Sequence, residues 1–266
     1  MRAVRFGKNS VAFASASLAV WSLAYAHFAA QSLPDWVPWR EAWVYGSAVV
    51  VLAASAGLCF SRTALPSAAT IAVYQAISTA IFLPQIVPQP LSIGAWYPVC
   101  EALTSLTGAW ILYALLQRQS RGSATALASD GAVRTAQVLF GLTCVFYGGS
   151  HFAYAAYTAT MVPAWLPGHL QLAYFTGLCH IAAGIAIVIG TLPLMAATLE
   201  AVMMSLFGLL VWVPSFFAQP RPNWALPPDH QWSELVVNLV LAASAWMVAI
   251  SFMNRDRRAA QLPTSS

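Results

Sequence analysis

Charged side chains are scarce in this sequence. Only 8% of its 266 residues are charged and 59% are hydrophobic, whereas soluble domains carry about 25% charge. A soluble chain of this composition would lack the polar surface needed to cover itself. Runs of about 20 apolar residues follow one another, and each is long enough to cross about 30 Å of hydrocarbon as a helix. The composition therefore predicts an all-α integral membrane protein, and the lack of short alternating segments argues against a transmembrane β-barrel.

The motifs of soluble catalysis are also missing. The sequence contains no P-loop, no G-x-S-x-G, no HExxH and no carboxylate pair at acid/base spacing. The 4 cysteines form no CxxC, so neither a disulfide framework nor a zinc site is indicated. The basic residues lie in short loops and at the ends of the chain without interleaved aromatics, which argues against nucleic-acid binding. Enzymatic activity is left open, with no catalytic residue to assign.

Eight hydrophobic segments are present instead. They cover approximately residues 11–30, 42–60, 67–87, 97–116, 133–157, 170–190, 195–217 and 232–253. An even number of spans places both termini on one side, and 10 of the 12 basic residues lie on that side, against Arg40 and Arg221 on the other. This excess predicts cytoplasmic termini in the inner (plasma) membrane. The first segment also resembles a cleaved signal peptide, but its recurrence later in the chain argues against that interpretation.

The two halves of the sequence share an ordered set of marks. "AHF", "PDWVPW" and "FLPQIVPQP" in the first half match "SHF", "PAWLPG" and "WVPSFFAQP" in the second, and Glu101 matches Glu234. Four spans per half make the two halves parallel, with a pseudo-axis along the membrane normal. We therefore expect two four-helix bundles, residues 1–116 and 135–266, joined by a cytoplasmic linker over residues 117–134.

The second half resembles a known family. The motifs "GGSHF", "MVPAWLP" and "TGLCHIAAGI", in this order, resemble those of the DoxX-like family of small membrane proteins, and the first half resembles it more weakly. The resemblance implies a four-helix unit in which a P-x-W-x-P turn joins the first two helices. Many members carry an acidic residue where His180 stands. Because some members are associated with membrane redox chemistry, the resemblance also implies a quinone or an oxidoreductase partner.

Histidines and glutamates within the spans are the residues that could carry chemistry. His180 lies about ten residues into its span, about 15 Å deep and near the midplane, and His151 lies in the outer part of the preceding span. A charged residue at a helix centre costs about 2.5–3.5 kcal/mol, so such residues normally face the bundle interior. Gly177 and Gly184 flank His180 on one helical face, which predicts that His180 lies on a closely packed face.

Three interpretations of these residues remain open. In the first, each histidine is an interhelical hydrogen-bonding residue. In the second, a small-molecule pocket lies in the outer leaflet, and in the third, a metal or haem is bound. The ligand-binding residues of such a pocket would be His151, His180, Glu234, Trp165 and Tyr147. No HxxxH pair supports a metal site. The function expected is binding of a hydrophobic small molecule, a quinone or lipid, by an accessory membrane protein. The alternatives are an electron-transfer subunit partnering an oxidoreductase and a small-solute transporter.

Glu200 stands apart from these residues. It lies about five residues inside the cytoplasmic end of the seventh span, and the repeat aligns it with Thr70. A carboxylate this close to the interface can reach water, so the sequence favours interfacial exposure over a functional role.

Overall fold

The computed structural model describes residues 2–120, 125–218 and 228–259, and the regular structure in these ranges is helical. Arg121 and Arg221, both used to predict the orientation, lie outside the described residues. The α-helices are α1 (Arg2–Ala24), α2 (Ala26–Gln31), α3 (Arg40–Gly57), α4 (Ala64–Phe82), α5 (Ile93–Gln119), α6 (Asp130–Ala153), α7 (Ala155–Met161), α8 (His169–Ile189), α9 (Pro193–Phe207), α10 (Val213–Ser215) and α11 (Pro228–Ala259).

Five helices in the described residues are long and apolar enough to cross a membrane. They are Ala64–Ile86, Ile93–Gln119, His169–Ile189, Pro193–Ser215 and Asp229–Asp256. Helices α6 and α7 make a sixth span if the pair, bent by 94°, is taken as one. Helices α1 and α3 are not apolar enough to count as spans, because polar residues lower their mean hydropathy. These residues are Lys8 and Asn9 in α1 and Arg40 and Glu41 in α3. The chain is a helical membrane protein, as its composition predicts.

Helices α5 and α11 form the centre of the bundle. Of their most apolar stretches, 61% of the α5 residues and 78% of the α11 residues are buried, against 33% in α4, α8 and α9. Helix α11 packs against α1, α5 and α9, and α5 packs against α4, α6 and α11. The remaining neighbours follow chain order, with α1 on α3, α3 on α4, α6 on α8 and α8 on α9.

Helices α6 and α8 approach each other closely through glycines. A methyl group on Gly148 would lie 2.5 Å from the carbonyl oxygen of Gly177, and one on Gly141 would lie 2.8 Å from that of Gly184. Small residues permit this close approach of helix backbones. The predicted place of Gly177 and Gly184 on a closely packed face is confirmed, and Gly148 lies in the same contact, whereas Gly149 faces open space. The α6–α8 contact is therefore rigid and sets the positions of the side chains it carries.

Prolines lie where two of the helices depart from regular α-helical geometry. Helix α4 passes into a 3₁₀ turn at Leu83–Ile86, which contains Pro84. Helix α9 passes into a π-helical turn at Gly208–Trp212, just before Pro214. Proline has no N–H, and its ring clashes with the carbonyl four residues earlier, so it disfavours a regular α-helix, although α5 continues through Pro98. The wider π turn lies at the C-terminal end of α9.

The connection between the halves is shorter than the predicted linker 117–134. Helix α5 extends to Gln119 and α6 begins at Asp130. Ser129 caps α6, its hydroxyl accepting a hydrogen bond from the Ala132 backbone N–H at 3.1 Å. The guanidinium of Arg118 lies 2.8 Å from the carboxylate of Asp130, so an ion pair joins the two helix ends.

Candidate functional site

A buried histidine–glutamate pair joins α8 and α9. Nδ1 of His180 lies 2.8 Å from Oε1 of Glu200, and the two side chains are only 2% and 1% exposed. His180 belongs to the buried face that also carries Ala173, Gly177 and Gly184. Its predicted place on the closely packed face is confirmed. The pair is an interhelical contact near the middle of the bundle.

The burial of Glu200 corrects the expectation of interfacial exposure. Glu200 shares the buried face of α9 with Ala197, Ala201 and Met204, and its side chain turns to α8 instead of to the lipid headgroups. The spacing of these residues, at i−3, i+1 and i+4 from Glu200, is that of a core-facing helical stripe. This spacing is the sequence signal that could have identified Glu200 as an interior residue.

His151 lies against His180. The two rings are 5.2 Å apart between centroids and meet edge to face at 71°. Nδ1 of His151 lies 3.0 Å from the hydroxyl of Thr176 and 3.3 Å from the carbonyl oxygen of Ala173, both on α8. The other side of the ring stacks on Phe207, at 6.1 Å and 23°. The structure thus brings together His151 and His180 at the junction of α6, α8 and α9.

His27 does not join this cluster. It lies on α2, after the break at Tyr25, whereas His151 lies on α6, before the break at Tyr154. The two residues therefore do not occupy matching places, contrary to the alignment of "AHF" with "SHF". The side chain of His27 is 79% exposed, and its Nδ1 lies 3.0 Å from the carboxylate of Glu41. His27 forms an exposed contact with Glu41 in the first half of the chain.

Tyr147 lies beside the pair on the α5 side. Its ring is 6.2 Å from the ring of His180, and only 8% of the residue is exposed. Its hydroxyl lies 3.1 Å from that of Thr104 on α5, and Thr104 in turn donates to Thr143 at 2.8 Å. Tyr147 therefore connects the histidines to the central helix of the bundle.

The structure does not bring the other two predicted ligand-binding residues to the histidines. Trp165 lies in the turn before α8 and is 71% exposed. Glu234, near the start of α11, lies 3.8 Å from Nε2 of His230, with its side chain 34% exposed. In the described part of the chain, neither residue makes a hydrogen bond or a ring contact with His151 or His180.

Two kinds of polar atom at the site lack partners within the described residues. Oε2 of Glu200 is buried and has no hydrogen-bond partner, although the thiol of Cys144 lies beside this carboxyl group. Nε2 of His180 and Nε2 of His151 also make no hydrogen bond there, and His151 as a residue is half-buried. The described residues contain no group of three His, Cys, Asp or Glu side chains placed to hold a metal ion.

A cleft of about 390 Å³ lies elsewhere, between Tyr25, His27, Tyr45 and Asp229. A second cavity, of about 10 Å³, lies among α1, α4, α5 and α11 and is the size of one water molecule. No protein-family model, curated protein or solved structure matches the chain.

Proposed function

We propose that the chain is an eight-span, DoxX-like protein of the inner membrane, built from two parallel four-helix units with both termini cytoplasmic. The starts of α2 and α7, of α3 and α8, and of α4 and α9 are each 129 residues apart. Trp39 and Gly168, which precede α3 and α8, both have a left-handed backbone conformation. Helix α11 packs on α1 as α5 packs on α6. This recurrence of helix starts and contacts supports the repeat.

The same spacing refines the alignment within the repeat. At 129 residues, His180 corresponds to Val51, and Glu200 corresponds to Ile71 instead of Thr70. Val51 and Ile71 are both 2% exposed. The apolar counterparts support the view that a four-helix unit of this kind does not need the histidine–glutamate pair to fold.

We further propose that the second unit binds a hydrophobic small molecule in its outer half, as an accessory component of the membrane. The observation that carries this proposal is the state of His151. Its ring is half-buried, fixed on one edge by α8 and on one face by Phe207, and its Nε2 makes no hydrogen bond with the residues that the structure describes. A positioned, unsatisfied polar atom in apolar surroundings is the feature by which small-molecule sites orient their ligands.

His180 and Glu200 hold His151 in position. Since the edge of one imidazole meets the face of the other, the position of His180 limits where His151 can lie. Glu200 in turn fixes His180 through the 2.8 Å contact at Nδ1. The pair is a positioning element and not the ligand contact itself, because both side chains are almost completely buried.

The experiment is extraction of the protein purified in mild detergent, with mass spectrometry of the organic phase. We expect a molecule enriched over bulk lipid in the wild-type protein, retained in His27→Phe and lost in His151→Phe. His27→Phe is the matched control because His27 is exposed in the first half. Equal retention by His151→Phe, or an extract with bulk lipid only, would overturn the proposal. An absorption spectrum of the same sample tests the haem alternative through its Soret band.

A further inference from the structure

The hydrogen bonds of His151 determine which of its nitrogens carries the proton. Ala173 offers Nδ1 a backbone carbonyl oxygen, which can only accept. The hydroxyl of Thr176 lies 3.0 Å from the carbonyl oxygen of Leu172 and 3.1 Å from that of Ala173, so its hydrogen is directed to the backbone. Its oxygen is then free to accept from His151. Both partners of Nδ1 are acceptors, and Nδ1 therefore donates.

Nε2 of His151 is consequently the acceptor of the ring. In a neutral imidazole one nitrogen donates and the other accepts. No carboxylate contacts His151 in the described residues, since Glu200 is bonded to His180. The nearest ionisable group is another imidazole, which offers no negative charge to stabilise an imidazolium. His151 therefore carries a lone pair, and not an N–H, at Nε2.

We propose that the site takes an apolar molecule through a hydroxyl group that donates a hydrogen bond to Nε2 of His151, in preference to one that offers only a carbonyl or ether oxygen. This inference rests on the proposed binding function and specifies its ligand class. The apolar part of the ligand lies against Phe207, whose ring forms the floor under the imidazole. A phenolic head on a hydrocarbon tail has both features.

Direct binding of two matched probes tests the preference. 4-Octylphenol donates and accepts, whereas 4-octylanisole, its methyl ether, only accepts. Titration calorimetry of each probe into wild-type protein in detergent should show the phenol binding about 3–10-fold more tightly, since a neutral hydrogen bond contributes about 0.5–1.5 kcal/mol. In His151→Phe the preference should disappear. In His151→Gln it should fall, because an amide offers both a donor and an acceptor.

The possible results distinguish a failure of the donor preference from a failure of the proposed binding function. Equal binding of the two probes by the wild-type protein, or tighter binding of the ether, overturns the donor preference while leaving a binding site in place. Binding of neither probe overturns both. A preference that survives unchanged in His151→Phe would place the acceptor at another residue and overturn the role of His151.

A spectroscopic measurement reads the tautomer without any ligand. In protein labelled with ¹⁵N-histidine, the His151 signals are those that His151→Phe removes, and His151→Gln gives a second assignment. We expect Nδ1 at the shift of a protonated nitrogen and Nε2 at that of an unprotonated one. The reverse assignment, or two protonated nitrogens, would overturn the inference whichever probe binds.

Discussion

Replacing both members of the His180–Glu200 pair by leucine should destabilise the protein less than replacing either member alone. Glu200→Leu leaves Nδ1 of His180 buried without its hydrogen-bond partner, because the side chain is only 2% exposed. An unsatisfied buried group of this kind costs about 1–3 kcal/mol. His180→Leu removes the partner of a carboxyl group whose Oε2 already lacks one. Breaking a buried ion pair on one side costs about 3–5 kcal/mol when the remaining charge persists.

The double variant His180→Leu/Glu200→Leu removes both polar groups. Replacing a buried polar pair by apolar groups of similar size is close to neutral. We therefore expect a coupling free energy of about 1.5 kcal/mol or more between the two positions, at or above the upper end of the range for interhelical hydrogen bonds in membranes. The short distance of 2.8 Å and the nearly complete burial place this pair at that upper end.

The assay is reversible unfolding in mixed micelles with increasing SDS, followed by tryptophan fluorescence, for the wild type, the two single variants and the double variant. The matched control is the His27–Glu41 pair, which has a similar distance of 3.0 Å but side chains 79% and 57% exposed. An exposed pair contributes about 0–1 kcal/mol, so a small coupling is expected there. Additive effects at His180 and Glu200, or equal coupling in the two pairs, would refute the reasoning from burial.

Further predictions concern the contacts that hold the site in place. Gly148→Ala should destabilise the protein by about 1–3 kcal/mol through a clash with the α8 backbone, whereas Gly149→Ala should be neutral or stabilising by up to about 1 kcal/mol, both measured by SDS unfolding. Arg134→Met removes guanidinium bonds to the carbonyls at the end of α8, at 2.9 and 2.6 Å, and should lower stability by about 1.5–3 kcal/mol in the same assay. Ser129→Ala removes the cap of α6 and should cost about 1 kcal/mol, measured likewise. Thr176→Val should leave the fold intact but reduce the phenol-over-anisole preference in calorimetry, because Nδ1 of His151 loses one acceptor; an unchanged preference would contradict this.

Hydropathy and proline patterns predicted much of the helical framework. Each predicted hydrophobic segment falls on a helix. Apolar side chains are removed from water whether they face lipid or a neighbouring helix, so these segments can be recognised without knowing which helix each one packs against. The helix ends near Pro84 and Pro214 follow from a local property, the missing N–H. The close packing at Gly177 could also be predicted, since glycine spacing on one helical face indicates that a neighbouring helix approaches closely.

The partners of the polar residues could not be predicted in the same way. Glu200 is close to the cytoplasmic end of its helix in sequence, and depth alone suggested exposure; its direction depends on where α8 lies. The alignment of His27 with His151 relied on three letters, and the break in the first helix moved His27 onto α2. Both errors have the same cause. The sequence indicates approximately how deep a residue lies along its helix and on which helical face, whereas its contacts depend on how the helices pack against one another.

In the proposed repeat, the histidine–glutamate pair of the second unit has counterparts in the first unit. The first unit fills the corresponding positions with Val51 and Ile71, both buried, so apolar side chains suffice at these places. A buried ionisable pair is often no more stabilising than the apolar residues that could replace it. Stability alone therefore does not account for His180 and Glu200. The contact of His180 with His151 agrees instead with the proposed ligand site, because a ligand contact requires an imidazole held in one orientation, and Glu200 holds His180 in place.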